Sequence, residues 1–188
     1  SLPILCPFNQ PNDEIDSEFA LHELNCGINR SSVIQIYYLN RSHPLSPGEN
    51  LSENNMTTSP NVELNDEFLS KFITKSFVLL LIDPTFVPNT IHKVVLHWIR
   101  YFSSSLDEQN DICYYRSMGS GPMYIQQKIV LLYATNSSKM MITAKTMCNQ
   151  LPDPFQLTDY VEFVKLKLVS ATHFFIPYVQ RDYGVDEY

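Results

Sequence analysis

The sequence predicts a mainly β domain with peripheral helix, on three observations. Aromatic residues are plentiful, with 11 Tyr, 11 Phe and one Trp, and these side chains favour strands over long helices. Apolar residues make up 44% of the chain and charged residues 18%, the balance of a packed core and not of a disordered chain. The continuous apolar run 77–82, bounded by Ser76 and Asp83-Pro84, has the length of a strand buried on both faces. A chain of 188 residues suits an N-terminal arm over 1–15 and one domain over 16–188.

The arm is rich in Pro and Asn. Residues 16–24 predict a short helix, capped by Asp16 or Ser17, with Phe19, Leu21 and Leu24 facing inward. Val33, Ile34, Ile36 and Tyr37 predict a strand over 32–39. Pro44, Pro47, Gly48 and Pro60 make 40–60 loop or sheet edge, and Val62 and Leu64 mark a short strand after it. After the buried run, 92–102 is rich in β-branched and aromatic residues and predicts the next strand. Residues 112–116 lead into Gly119-Ser120-Gly121-Pro122, a turn that needs unusual backbone angles. Residues 128–134 predict another strand. The spacing of Tyr160, Val161, Val164 and Leu168 predicts a helix over 155–169, and 171–179 predicts a last, aromatic strand.

Charge and motif exclude several functions. The net charge is −7 and no basic run exists, which disfavours nucleic-acid and anionic-membrane binders. No apolar run approaches the ~20 residues of a membrane-spanning helix. The start, Ser1-Leu2-Pro3-Ile4-Leu5-Cys6, reads as a processed chain from which a signal peptide has gone. The sequence has no Gly-x-Ser-x-Gly, His-Glu-x-x-His or P-loop motif, and Ser120 is the only serine a motif would place as nucleophile. A non-enzymatic protein without cofactor or metal is expected.

Asparagines and cysteines point to the secretory pathway. Asn-x-Ser/Thr occurs at Asn29, Asn40, Asn50, Asn55 and Asn136. With 14 Asn and 28 Ser or Thr in the chain, chance supplies roughly two such motifs, so the excess favours glycosylation. Cys6, Cys26, Cys113 and Cys148 are even in number and lack the local pairing of a zinc site, so two disulfides are expected. Three connectivities are open.

The ordered set of motifs resembles the phosphatidylethanolamine-binding protein family. It comprises the run 77–82, Asp83-Pro84 and Pro88, Leu96-His97-Trp98-Ile99, and Gly119-Ser120-Gly121-Pro122. Val33 to Tyr37, Gly48, Leu51, Pro60-x-Val62 and Ser170-Ala171-Thr172-His173-Phe174 extend the resemblance across residues 20–183. The sequence departs from the family's pattern at Thr85, which replaces an Asp, and by one added residue before Pro88. Gln126 stands where the family has a second pocket His, in its Leu-His-Arg-Tyr motif, and Phe174 where it has Tyr.

The resemblance implies a central antiparallel β-sheet packed on a smaller sheet, with a C-terminal helix. It implies a ligand site at Asp83, His97, Gly119, Gly121, Pro122, Gln126 and Phe174, a degenerate receptor for a phosphorylated head group such as phosphorylethanolamine. The chemistry is consistent: the Gly-x-Gly-Pro turn aims N–H groups at an anion, His97 donates to it, and Asp83 orients the His or receives an ammonium. His97 is then the only side chain of the set able to supply positive charge, and binding should strengthen as pH falls through its pKa. The partner expected is a phospholipid head group or small anion. The alternative is a protein-interaction or protease-inhibitor module with a vestigial pocket. The same alignment implies disulfides Cys113–Cys148 and Cys6–Cys26, and a cis Val87–Pro88 bond.

Overall fold

Strands that are apolar on successive positions must be covered on both faces, and the architecture follows from that demand. The computed structural model describes residues 33–39, 41–52, 56–71, 76–83, 93–116, 126–136, 148 and 155–176. The expected arm, the 16–24 helix, the Val87–Pro88 bond, the Gly119–Pro122 turn, Asn29, Asn40, Asn55, Cys6 and Cys26 lie outside them.

The elements in order are β1 (Ile34–Tyr37), β2 (Glu49–Asn50), β3 (Asn61–Leu64) and a one-turn helix α1 (Asp66–Leu69). There follow β4 (Ser76–Asp83), β5 (Lys93–Phe102), β6 (Gln109–Cys113), β7 (Gln126–Thr135), β8 (Phe155–Gln156), α2 (Leu157–Val164) and β9 (Lys167–Ile176). The main sheet runs β2-β9-β7-β4-β5-β6, with β8 beside β5, and β1 and β3 form a small separate sheet. The pairs among β4, β5, β6, β7 and β9 are antiparallel; among the described residues only the short edge strand β2 runs parallel, beside β9.

The expected two-sheet plan is present, and β4 is its centre. Val78, Leu80 and Ile82 face one way and join a core with Ile129, Leu131, Tyr133 and the helix residues Leu157, Tyr160, Val161 and Val164. Phe77, Leu79 and Leu81 face the other way and join Val130, Leu132, Phe174 and the small sheet's Ile34, Ile36 and Val62. One side is covered by α2 and the other by β1 and β3, so both faces of β4 are dry, as its unbroken apolar run requires.

The helix expected over 155–169 is shorter. Lys165 adopts a left-handed φ of 57°, and its N–H returns to the Glu162 carbonyl at 3.2 Å, which closes α2. Leu168, expected on the helix face, instead pairs with Tyr133 as a strand residue. A ten-residue β9 completing a ladder against β7 outweighs one more turn of helix. Gly48 adopts φ 76° and donates its N–H to the His173 carbonyl at 2.9 Å, which seats β2 on the sheet edge.

Candidate functional site

Asp83 is the last residue of β4 and is buried. The β4–β7 register ends at Ile82–Ile129, and one step further brings Asp83 beside Lys128. The Lys128 ammonium donates to the Asp83 carboxylate in a buried ion pair, with Lys128 only 1% exposed. Burial pushes the Lys128 pKa down, and the Asp83 charge and hydrogen bond oppose that fall. Lys128 in turn stands opposite Phe174 of β9, and Phe174 opposite Glu49 of β2. One row across the sheet therefore holds Asp83, Lys128 and Phe174.

His97 reaches this row through a β-bulge. Leu81 pairs with Trp98 and Ile82 with Leu96, so His97 is the extra residue on β5. Leu96 and Trp98 are two apart yet belong to opposite cores, which only a break in alternation permits. Burial first, and then the charges of Lys128 and Arg116, lower the His97 pKa to about 4 against the opposing charge of Asp83. The imidazole is thus neutral at physiological pH. Its Nε2 is buried and has no hydrogen-bond partner among the described residues. The His97 carbonyl accepts the Arg116 N–H at 2.8 Å, which lays the exposed Arg116 alongside β5 past the end of β6.

These positions bear unevenly on the expected site. The structure brings Asp83 and His97 close enough for the carboxylate charge to act on the imidazole. Gly119, Gly121 and Pro122 lie outside the described residues. Gln126 opens β7 opposite Ile176. Phe174 is 1% exposed and packs edge-on to Tyr38, with ring centres 5.9 Å apart, as part of the seam between the sheets. Of the expected set only His97 could supply positive charge, and burial holds it neutral at physiological pH; outside that set, among the described residues, the cations Lys128 and Arg116 act on it. Any gain of charge on His97 accordingly moves from neutral pH to about pH 4 in the unliganded protein.

Sequence reasoning missed Lys128 and Arg116. Lys128 directly precedes the apolar run 129–134 and is in phase with the inward positions Val130 and Leu132. A cation in phase with a buried face needs an acid nearby, and that was the available signal. A second cluster belongs to the fold. The Trp98 indole donates to Asp111 at 2.9 Å, and the Arg100 guanidinium lies 5.3 Å over the Trp98 ring, tying β5 to β6.

Comparison with solved structures gives the same architecture. The chain superposes on carboxypeptidase Y inhibitor, solved with its cognate proteinase, with a TM-score of 0.55 at 16% identity, over 88% of this chain and 95% of that one. It superposes on a phosphatidylethanolamine-binding protein from Plasmodium falciparum with a TM-score of 0.53 at 11% identity, over 92% of this chain and 91% of that one. The fold is that of the phosphatidylethanolamine-binding proteins. No protein-family model matches the sequence, and no curated protein sequence matches it significantly. At these identities the phosphatidylethanolamine-binding fold is shared while the side chains are not, so the site must be argued from its own residues.

Among the described residues one disulfide is present, Cys113–Cys148, with Cα atoms 5.5 Å apart and 35 residues of separation. It joins the end of β6 to the segment before β8, as the family alignment implied. Asn50 and Asn136 are both exposed.

Proposed function

We propose that this chain is a secreted, non-enzymatic binding protein whose site at His97 takes a phosphate-type anion. The observation that carries this reading is the buried, unpartnered Nε2 of His97 with Lys128 and Arg116 in electrostatic range. Native proteins rarely leave a buried polar atom unsatisfied, and a bound acceptor resolves it. Among the described residues, the charges that act on His97 are Asp83 against Lys128 and Arg116, a balance of +1 that favours an anion. Secretion is supported by the Cys113–Cys148 disulfide and by the exposure of Asn50 and Asn136.

The test is calorimetry with methyl phosphate at low ionic strength. A neutral hydrogen bond is worth about 0.5–1.5 kcal/mol, so His97→Ala should weaken binding by roughly 2- to 13-fold. Arg116→Ala should weaken it too, and less so in high salt. Wild type that binds no phosphate compound overturns the reading. For secretion, protein from a eukaryotic secretory host should lose mass on enzymatic deglycosylation, with Asn50 and Asn136 among the occupied sites; an unchanged mass rejects it.

A second reading has its own observation. Asp83 and Lys128 already satisfy one another, so the row is complete in charge without a ligand. A protein-interaction or inhibitor module would then use the fold's surface, and absent phosphate binding is the outcome that favours it.

A further inference from the structure

We infer that the site selects a phosphate group carrying no ammonium of its own, in preference to a zwitterionic head group. The inference rests on the anion-binding reading and deepens it.

An acid beside an anion site gives a zwitterionic ligand two anchors, phosphate on the donors and ammonium on the carboxylate. Here the second anchor is taken. The Lys128 ammonium is tethered to β7, sits on the Asp83 carboxylate and is 1% exposed. A ligand ammonium would have to displace a side chain held by the sheet itself, leaving that side chain buried and unpaired. The remaining charges repel it as well, since Lys128 and Arg116 both act on His97. A phosphate without an ammonium meets none of these costs. It accepts from the orphan His97 Nε2 and gains from both cations. The same group can come from a soluble phosphate monoester or from the head group of phosphatidic acid.

Two sets of measurements test this. In calorimetry, wild type should bind methyl phosphate about tenfold more tightly than phosphorylethanolamine. Lys128→Tyr frees Asp83 and should reverse the order. Asp83→Asn/Lys128→Tyr keeps no buried charge, guards against a single variant that fails to fold, and should bind the two compounds about equally. Co-sedimentation with phosphatidylcholine vesicles containing either phosphatidic acid or phosphatidylethanolamine distinguishes the sources. Capture by phosphatidic acid vesicles assigns the lipid, while binding of methyl phosphate alone assigns a soluble ester. Tighter binding of phosphorylethanolamine by wild type overturns the inference and leaves the anion reading standing. No binding of any phosphate compound by wild type overturns both.

Discussion

Lys128→Met should be among the most damaging single substitutions in the main sheet, and its damage should depend on pH. The side chain is 1% exposed and Asp83 is 7% exposed, so the change leaves a carboxylate in a dry site without its counter-ion. Breaking a buried pair from one side costs about 3–5 kcal/mol. Replacing both partners removes the stranded charge, so Asp83→Asn/Lys128→Met should recover most of the loss. The stranded carboxyl has a pKa raised above its unfolded value of about 3.9. Below that value it is protonated in both states and the penalty vanishes. As pH rises above it, the unfolded chain ionises first, and the penalty grows until the folded pKa is passed.

Urea denaturation of the single and double variants, from pH 7 down towards pH 4, gives the comparison directly. The two should differ by several kcal/mol at pH 7, about the 3–5 of a broken pair, and converge near pH 4. The surface carboxylates are common to both and cancel in the difference, whereas His97, whose pKa Asp83 raises, is held closer to its ordinary value in the single variant. A single variant within about 1 kcal/mol of wild type at pH 7, or a double variant no better than the single, refutes the buried-pair argument.

Other substitutions probe other parts of the structure. The His97 pKa falls from 6.5 to about 4 on folding, so its share of stability is full above pH 6.5 and lost as pH drops towards 4. That share is worth about 3 kcal/mol, and His97→Asn should flatten the stability–pH curve across that window, with a residual slope from His173, whose pKa burial also lowers. An unchanged slope rejects it. Cys113→Ala/Cys148→Ala opens a link across 35 residues and should cost about 2–4 kcal/mol by urea denaturation, with no loss counting against the bond. Gly48→Ala puts a side chain at φ 76°, with its Cβ 3.4 Å from His173 Nε2, and should cost about 1–2 kcal/mol. A variant as stable as wild type refutes the strain at Gly48.

How far the fold was legible depended on whether one strand carried its own explanation. The run 77–82 needs no partner to be read, because six apolar residues in succession have no solvent face. The 155–169 segment was misread because Tyr160, Val161, Val164 and Leu168 satisfy helical spacing while Leu168 belongs to a strand. Nothing local marks Lys165 as left-handed; pairing of Leu168 with Tyr133, far back in the chain, decides it. The site divides in the same way. Asp83 and His97 were found through motif context, whereas Lys128 lies 45 residues from its carboxylate. Arg116 lies past the end of β6, and the bond from its N–H to the His97 carbonyl is what brings it to the site.

The bulge and the ion pair are two answers to one constraint. Strand β4 is buried over 77–83 and β7 over 128–135, and β5 between them is buried at Leu96, Trp98, Ile99 and Phe102, so a polar group at the site must be imported into a dry sheet. The bulge delivers His97 and moves the positions that follow it on β5 by one, so that Trp98 faces the core opposite to that of Leu96. Lys128 delivers charge at the row where β4 ends, and Asp83 makes that charge tolerable. The same rung therefore closes the β4–β7 ladder and defines the site's electrostatics. A substitution that frees Asp83 for a ligand ammonium also strips the counter-ion from a buried carboxylate. On the proposed anion-binding reading, ligand preference and sheet stability are tied at Lys128, and a variant made to bind a zwitterion there would need a compensating change elsewhere in the sheet.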